Sequence, residues 1–118
     1  MGNTWKELLV WQKSHGLVME IYKIITAFPQ SERFALCDQL KRAAVSIPTN
    51  IVEGHSKSSK KDFVRYLYFS RGSLEEIRYL IFLSKERDFI NTIQYQSIES
   101  KVVGISILLN KLIKSMEP

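Results

Sequence analysis

The segment "FVRYLYFSRGSLEEIRYLIFLS", residues 63–84, decides the fold, because its apolar and small residues recur with a heptad period. Steps of four and three residues alternate along it, at Phe63, Leu67, Ser70, Leu74, Ile77, Ile81 and Ser84. A period of about 3.5 residues places these side chains on one face of an α-helix and is typical of helices in left-handed bundles. The segment therefore predicts a long amphipathic helix, which we expect to begin near Ser59.

The same spacing recurs in three other segments, which cover residues 11–28, 37–51 and 95–116. The last of these helices is expected to begin near Asn91 or Thr92, because both are acceptable N-cap residues. Short connections join the four segments, so consecutive helices must run antiparallel. We predict one domain over residues 1–118, with an all-α fold that is a left-handed, up-down-up-down four-helix bundle.

The second segment contains Pro48, which removes one helical hydrogen bond. The apolar spacing nevertheless continues in register on both sides of this residue, so we predict one continuous helix that is kinked at Pro48. Ser31 is the predicted N-cap of this helix. Gly54 is predicted to adopt the left-handed conformation that commonly ends a helix.

A polar stripe follows the same helix, about 140° from its apolar face. One interpretation is an ordinary solvated surface. We favour a hydrogen-bonded contact with another helix or subunit, because Ala43 and Ala44 allow close approach and because Ser and Asn are poor residues for an exposed helix centre. The polar stripe consists of Gln39, Arg42, Ser46, Asn50 and Glu53.

The third and fourth helices carry more apolar residues than one bundle core requires. Large contiguous apolar patches are rare on monomers, so this surplus favours an oligomer interface, with a broader core as the alternative. The surplus residues are Tyr66, Phe69, Leu80, Phe82, Leu83, Val103, Ile107, Leu108 and Ile113.

The net charge of +5 is carried by residues 41–71, which contain seven basic and two acidic residues, whereas the rest of the chain is balanced. Several of these cations lie at the start of the third helix, where the helix dipole disfavours each by about 0.3–1 kcal/mol. A bound phosphate reverses that penalty. We therefore predict a site that binds nucleic acid through phosphate and shape, with Tyr68 placed to stack on a base. The candidate residues are His55, Lys57, Lys60, Lys61, Arg65, Tyr68 and Arg71. The alternative is an interaction scaffold whose basic face docks an acidic protein.

The sequence contains none of the common motifs for nucleophilic, metal-dependent or nucleotide-dependent catalysis. We expect no enzymatic activity, cofactor or metal. Cys37, the single cysteine, is predicted to be a core residue, and its isolation fits the cytoplasm. No apolar run approaches the roughly 18 residues of a membrane span, and no signal-peptide core is evident. Met1 and Gly2 begin like a myristoylation site, but Lys6 stands where Ser or Thr is required.

Three segments carry a resemblance to a known family: residues 8–29, "LLVWQKSHGLVMEIYKIITAFP", residues 36–54, "LCDQLKRAAVSIPTNIVEG", and residues 63–81, "FVRYLYFSRGSLEEIRYLI". They resemble the four-helix bundle proteins encoded in intervening sequences of bacterial 23S rRNA genes, which are related to accessory proteins of diversity-generating retroelements. The resemblance spans about residues 8–113. It implies a homopentameric ring with a basic surface for nucleic acid and without enzymatic activity. We expect the ligand to be RNA rather than DNA, bound without sequence specificity.

Overall fold

The computed structural model describes residues 4–118, so Met1 and Gly2, on which the myristoylation question rests, lie outside the described residues. The helices pack as an antiparallel up-down-up-down bundle, which confirms the predicted all-α fold. Each helix packs against its neighbour in the chain, and the first also packs against the last. The helices are α1, Leu9–Ile24, α2, Leu36–His55, α3, Lys60–Glu86, and α4, Thr92–Met116, with 3-10 helices at Trp5–Glu7, Ile25–Ala27 and Gln30–Glu32.

Aliphatic side chains from all four helices form the core at the predicted heptad positions. Ile21, Ile47, Leu74 and Leu109 are fully buried, one from each helix. Burial of each such side chain contributes about 1.5–3 kcal/mol to folding. Serines at heptad positions also fit this core, because their hydroxyls find acceptors; that of Ser14, for example, donates to the carbonyl oxygen of Val10 at 2.7 Å.

Two predicted helix starts are confirmed by their caps. At α3, the Ser59 hydroxyl accepts a hydrogen bond from the backbone N–H of Asp62 at 3.1 Å. At α4, Asn91 and Gln94 form a reciprocal capping box, in which each side chain accepts from the other residue's backbone N–H. The lysines that follow Ser59 are therefore held at the first turn of α3.

The prediction that Ser31 is the N-cap of the second helix is wrong. Phe28 adopts an extended conformation, as expected before Pro29. Pro29, with its φ fixed at −57°, then begins a separate 3-10 turn that contains Ser31. Helix α2 begins only at Leu36, and no side chain caps it.

Helix α2 continues through Pro48 to His55, as predicted, but the role assigned to Gly54 is wrong. No glycine in residues 4–118 has a positive φ, and Gly54 lies within the helix. Its function is close packing. A Cβ atom added to Gly54 would lie 2.8 Å from the Cβ of Tyr66 and 2.9 Å from Cδ1 of Phe63. Helix α3 therefore leaves no room for a side chain at this position.

The turn between α3 and α4 is closed by a Schellman motif. The N–H of Phe89 donates to the carbonyl oxygen of Ser84, and the N–H of Asp88 donates to the carbonyl oxygen of Lys85, each at 2.9 Å. Asp88 supplies the left-handed residue, with a φ of 62°. Aspartate tolerates this conformation better than most residues because its short side chain can hydrogen-bond locally.

Within residues 4–118, no helix combines the length and the apolar character that crossing a bilayer requires.

The close contact at Gly54 predicts a specific loss of stability. We expect Gly54→Ala to lower the free energy of unfolding by about 1–3 kcal/mol, because the added methyl group forces α2 and α3 apart. The matched control is Gly104→Ala, whose Cβ meets no atom within 4 Å. There the gain in helix propensity should raise stability by up to about 1 kcal/mol. Urea denaturation followed by circular dichroism measures both, and an undiminished midpoint for Gly54→Ala contradicts the close contact.

Candidate nucleic-acid interface

The connection between α2 and α3, residues 56–59, is held by several hydrogen bonds. The Ser56 hydroxyl donates to the carbonyl oxygen of Glu53 at 2.6 Å. The N–H of Lys57 donates to the carbonyl oxygen of Gly54 at 3.1 Å. Together with the cap formed by Ser59, these bonds define the position from which the basic side chains extend.

Four of the predicted site residues, which we call the cation group, are exposed at this turn and on the first turns of α3. Some cations elsewhere have carboxylate partners, since Nε of Arg78 lies 3.2 Å from Oε2 of Glu99 and Nζ of Lys41 lies 3.5 Å from Oδ1 of Asp38. Others, such as Arg42, have none within residues 4–118. The cation group forms no ion pair within residues 4–118. Asp62, in the first turn of α3, offsets only part of this charge, so a positive excess remains at the turn. The group consists of Lys57, Lys60, Lys61 and Arg65.

Tyr66 links the turn to the helix. Nζ of Lys57 lies 5.2 Å from the centroid of the Tyr66 ring, and Cζ of Arg65 lies 5.1 Å from it. Arg65 also lies 5.8 Å from the ring of Phe69. Cation–π contacts of this kind are worth about 0.5–1 kcal/mol at exposed sites. Sequence reasoning placed Tyr66 only among the surplus apolar residues, because heptad spacing does not reveal which cations its ring meets.

The backbone at the start of α3 adds to this positive potential. Asp62 and Phe63 donate their N–H groups to Ser59, whereas those of Lys60 and Lys61 have no acceptor within residues 4–118. Free N–H groups and the dipole at a helix N-terminus favour an anion. Here they lie in the same turn as the cation group, which is the arrangement that binds phosphate.

Tyr68 and Arg71 differ from the cation group in having hydrogen-bond partners in the C-terminal part of α4 and in the residue that follows it. The Tyr68 hydroxyl donates to Oε2 of Glu117 at 3.1 Å, and Nη1 of Arg71 donates to Oδ1 of Asn110 at 3.1 Å. Cζ of Arg71 also lies 4.5 Å from the centroid of the Tyr68 ring. The carboxylate of Glu117 weakens the attraction of this second location for an anion.

His55 is half-buried at the last turn of α2. Its ring meets that of Phe63 edge to face, with centroids 5.8 Å apart and planes at 89°. The imidazole therefore belongs to the packing between α2 and α3 beneath the turn.

The polar stripe divides into a half-buried part and an exposed part. The hydroxyls of Ser46 and Ser73 are 2.8 Å apart and join α2 to α3. Nδ2 of Asn50 donates to the carbonyl oxygen of Ser46 at 2.9 Å and to its hydroxyl at 3.0 Å. The remaining members, Gln39, Arg42 and Glu53, are exposed in the single chain.

A shallow groove of about 680 Å³ runs over the outer face of α2. Val45 and Thr49 of α2 and Tyr22 of α1 are among the residues that line it. Neither Arg42 nor Glu53, which also line it, forms an ion pair within residues 4–118.

The surplus apolar residues of α3 and α4 also divide. Leu80 and Ile113 are core residues, each only 3% exposed, so the core is broader than the heptad positions alone. Tyr66, Leu83 and Leu108 are half-buried. Four side chains remain 40–51% exposed: Phe69, Phe82, Val103 and Ile107.

Cys37 is buried, which confirms its predicted place in the core. Burial raises the pKa of its thiol, so little reactive thiolate is present near neutral pH. Among the described residues, no three His, Cys, Asp or Glu side chains are grouped so that they could hold a metal ion.

The fold is an antiparallel four-helix bundle with a basic turn at one end. The sequence profile of the 23S rRNA-intervening sequence protein family matches residues 6–111, and the chain belongs to this family. The resemblance seen in the sequence is thereby confirmed. A similar solved structure is that of a protein of unknown function from the S23 ribosomal protein family of Bacteroides thetaiotaomicron VPI-5482. It is 28% identical, with a TM-score of 0.81, over 90% of this chain and 99% of that one. No curated protein matches the chain.

The Ser59 cap predicts a measurable contribution to the start of α3. We expect Ser59→Ala to lower the free energy of unfolding by about 1 kcal/mol, because the N–H of Asp62 loses its acceptor. Ser58→Ala is the control, since no hydrogen bond of the Ser58 hydroxyl is formed within residues 4–118, and we expect a change within about 0.5 kcal/mol. Urea denaturation of the two variants side by side measures the difference, and equal stabilities contradict the cap.

Proposed function

We propose that this chain is a non-enzymatic, sequence-nonspecific nucleic-acid-binding protein, for RNA rather than DNA, that acts in the cytoplasm as a homopentamer. The observation that carries the proposal is the cation group at the N-terminus of α3, which forms no ion pair within residues 4–118.

The mechanism of binding follows from the local geometry. Phosphate oxygens accept hydrogen bonds from the free N–H groups of Lys60 and Lys61, while the four cationic side chains reach neighbouring phosphates. The contacts of Lys57 and Arg65 with the Tyr66 ring restrict these side chains before the ligand arrives and so reduce the entropy lost on binding. Nothing in this arrangement contacts base edges in a fixed pattern, so affinity is expected to depend on phosphate and not on sequence.

Oligomerisation has two supports. The first is apolar: the side chains of Phe69, Phe82, Val103 and Ile107 remain exposed on α3 and α4. The second is polar: the groove on α2 presents Arg42 and Glu53 without partners in the single chain. A ring also makes a weak phosphate site effective, because several sites bind one nucleic acid with a raised effective concentration.

Charge reversal tests the site directly. We expect simultaneous Lys57→Glu, Lys60→Glu, Lys61→Glu and Arg65→Glu to abolish binding to labelled RNA in fluorescence anisotropy, because carboxylates at this position repel phosphate. Helicity should be preserved, since acidic residues are favourable in the first turn of a helix.

The matched control applies the same change of charge at cations away from the turn: Lys23→Glu, Arg33→Glu, Lys41→Glu and Arg87→Glu. This variant should retain most of its RNA affinity. Unchanged binding in the first variant, or an equal loss in both, excludes the cation group as the site.

Salt dependence separates nucleic acid from the alternative, an acidic protein partner. If four cations of one subunit contact phosphates, log Kd plotted against log salt should have a slope of about 3 to 4, with little difference between RNA sequences. Isothermal titration or anisotropy at several salt concentrations measures it. A slope near zero, or strong sequence selectivity, contradicts the proposed mode of binding.

The assembly is tested by light scattering coupled to size exclusion. We expect a mass near five times the 13.7 kDa of the chain. Val103→Glu together with Ile107→Glu should reduce it, because both changes place charge in the exposed apolar face. The control is Ser97→Glu, an exposed position on the same helix that lies about 100° away from this face, which should leave the mass unchanged. A wild-type protein that elutes as a monomer contradicts the homopentamer.

A further inference from the structure

Three aromatic rings near the start of α1 are in contact: Trp5 meets Trp11 at a tilt, and Trp11 stacks face to face on His15. The ring centroids of Trp5 and Trp11 are 4.7 Å apart, with planes at 58°. Those of Trp11 and His15 are 5.2 Å apart, and their planes differ by only 4°. Trp11 is half-buried against the core, whereas His15 is exposed. The three rings, which we call the stack after the parallel pair Trp11 and His15, therefore extend from the core to the solvent-exposed imidazole of His15.

The parallel pair is unusual within this molecule. The other aromatic pairs of residues 4–118 meet at 49° to 89°, as rings do when they fill a core or cover its edge. Trp11 and His15 instead present parallel faces in the way that stacked bases do. A further planar ring can add to such a stack without displacing any side chain that fills the core.

The stack lies at the same end of the bundle as the cation group. The 3-10 helix Trp5–Glu7 precedes α1 and contacts α2 as well. In an antiparallel bundle the start of α1 and the end of α2 are side by side, and the turn with the cation group follows the end of α2. The bundle is only 24 × 20 Å across, so a short strand of nucleic acid spans the distance between them.

A further cation adjoins the stack. Nζ of Lys6 lies 5.5 Å from the centroid of the Trp5 ring. The backbone at Lys6 is fastened to α1, because Nε2 of Gln12 donates to its carbonyl oxygen at 2.9 Å. The stack therefore combines flat aromatic surface with a positive charge, which are the two elements that proteins use to bind single strands.

We propose that the rings of Trp5, Trp11 and His15 form a platform on which an unpaired base stacks, so that the ligand of this protein is single-stranded nucleic acid. The inference rests on the proposed function, because the cation group holds the phosphates that flank the stacked base. Duplex bases are already stacked and paired and do not reach the platform. Every base has a π-face, so the platform preserves the lack of sequence specificity.

Tryptophan emission tests the platform without any substitution, since Trp5 and Trp11 are the two tryptophans of the chain. We expect a short oligouridylate to quench the emission of the wild-type protein with the same saturation curve that anisotropy gives for binding. An RNA duplex with the same number of phosphates, and inorganic polyphosphate, should bind the cation group but leave the emission unchanged.

Substitution of the exposed ring gives a second, independent measurement. We expect His15→Ala to weaken binding of oligouridylate by about 5- to 150-fold, the range found when a stacked side chain is replaced by alanine, and to leave duplex affinity unchanged. The matched control is Tyr79→Ala, which removes an exposed aromatic ring outside the stack. It should change neither affinity.

The outcomes separate this inference from the proposed function. If oligouridylate binds in anisotropy but the emission does not change, the platform is refuted while the nucleic-acid function stands. Equal quenching by duplex, or an equal loss of both affinities in His15→Ala, shows that the stack is structural and also refutes the platform. If neither RNA binds, the proposed function fails and the platform fails with it.

Discussion

The structure depends on the close packing of α2 against α3, where the two backbones approach until a glycine is required. Gly54 leaves space for Tyr66 and Phe63 of α3. About two turns earlier in α2, the carbonyl oxygen of Ile47 accepts a hydrogen bond from the Ser70 hydroxyl of α3 at 2.7 Å. Apolar heptads alone permit neighbouring helices to slide by one repeat. A slip here leaves a buried hydroxyl without an acceptor, which costs about 1–3 kcal/mol, so the polar contacts select one register.

This register also determines the functional end of the molecule. Because Gly54 admits Tyr66 next to the end of α2, the ring lies between Lys57 of the turn and Arg65 of α3. Packing in the interior and charge on the surface are therefore set by one contact. A change that separates the two helices is expected to disturb the basic turn even when no cation is altered.

The fold and most helix limits were predictable from sequence because they follow from local rules. Heptad spacing identified all four helices, and Ser59 and Asn91 were recognisable caps. Gly54 was misread because a glycine near a helix end supports two explanations, backbone freedom or close contact. Which explanation holds depends on where Tyr66 lies, and the spacing of residues in the sequence does not reveal that. Ser31 was misread because the 3-10 turn after Pro29 competes with the helix for the same residues.

The candidate site was predictable in its charge but not in its grouping. Lys61, Arg65 and Tyr68 follow the spacing of one helical face, but only Tyr68 forms a hydrogen bond with a carboxylate, that of Glu117, 49 residues farther along the chain. The aromatic stack gave no signal of its own, because Trp5 lies outside the heptads and His15 is an exposed residue between core positions. Contacts between residues distant in sequence decide both features.

The antiparallel order of the helices has a practical consequence for handling this protein. The 3-10 helix before α1 and the last turn of α4 lie at the same end as the turn between α2 and α3, and the bond from Tyr68 to Glu117 holds the end of α4 there. A purification tag fused to either terminus therefore sits beside the basic surface and adds its own charge to it. Fluorophores and affinity handles are better attached at the opposite pole, on the connection between α1 and α2.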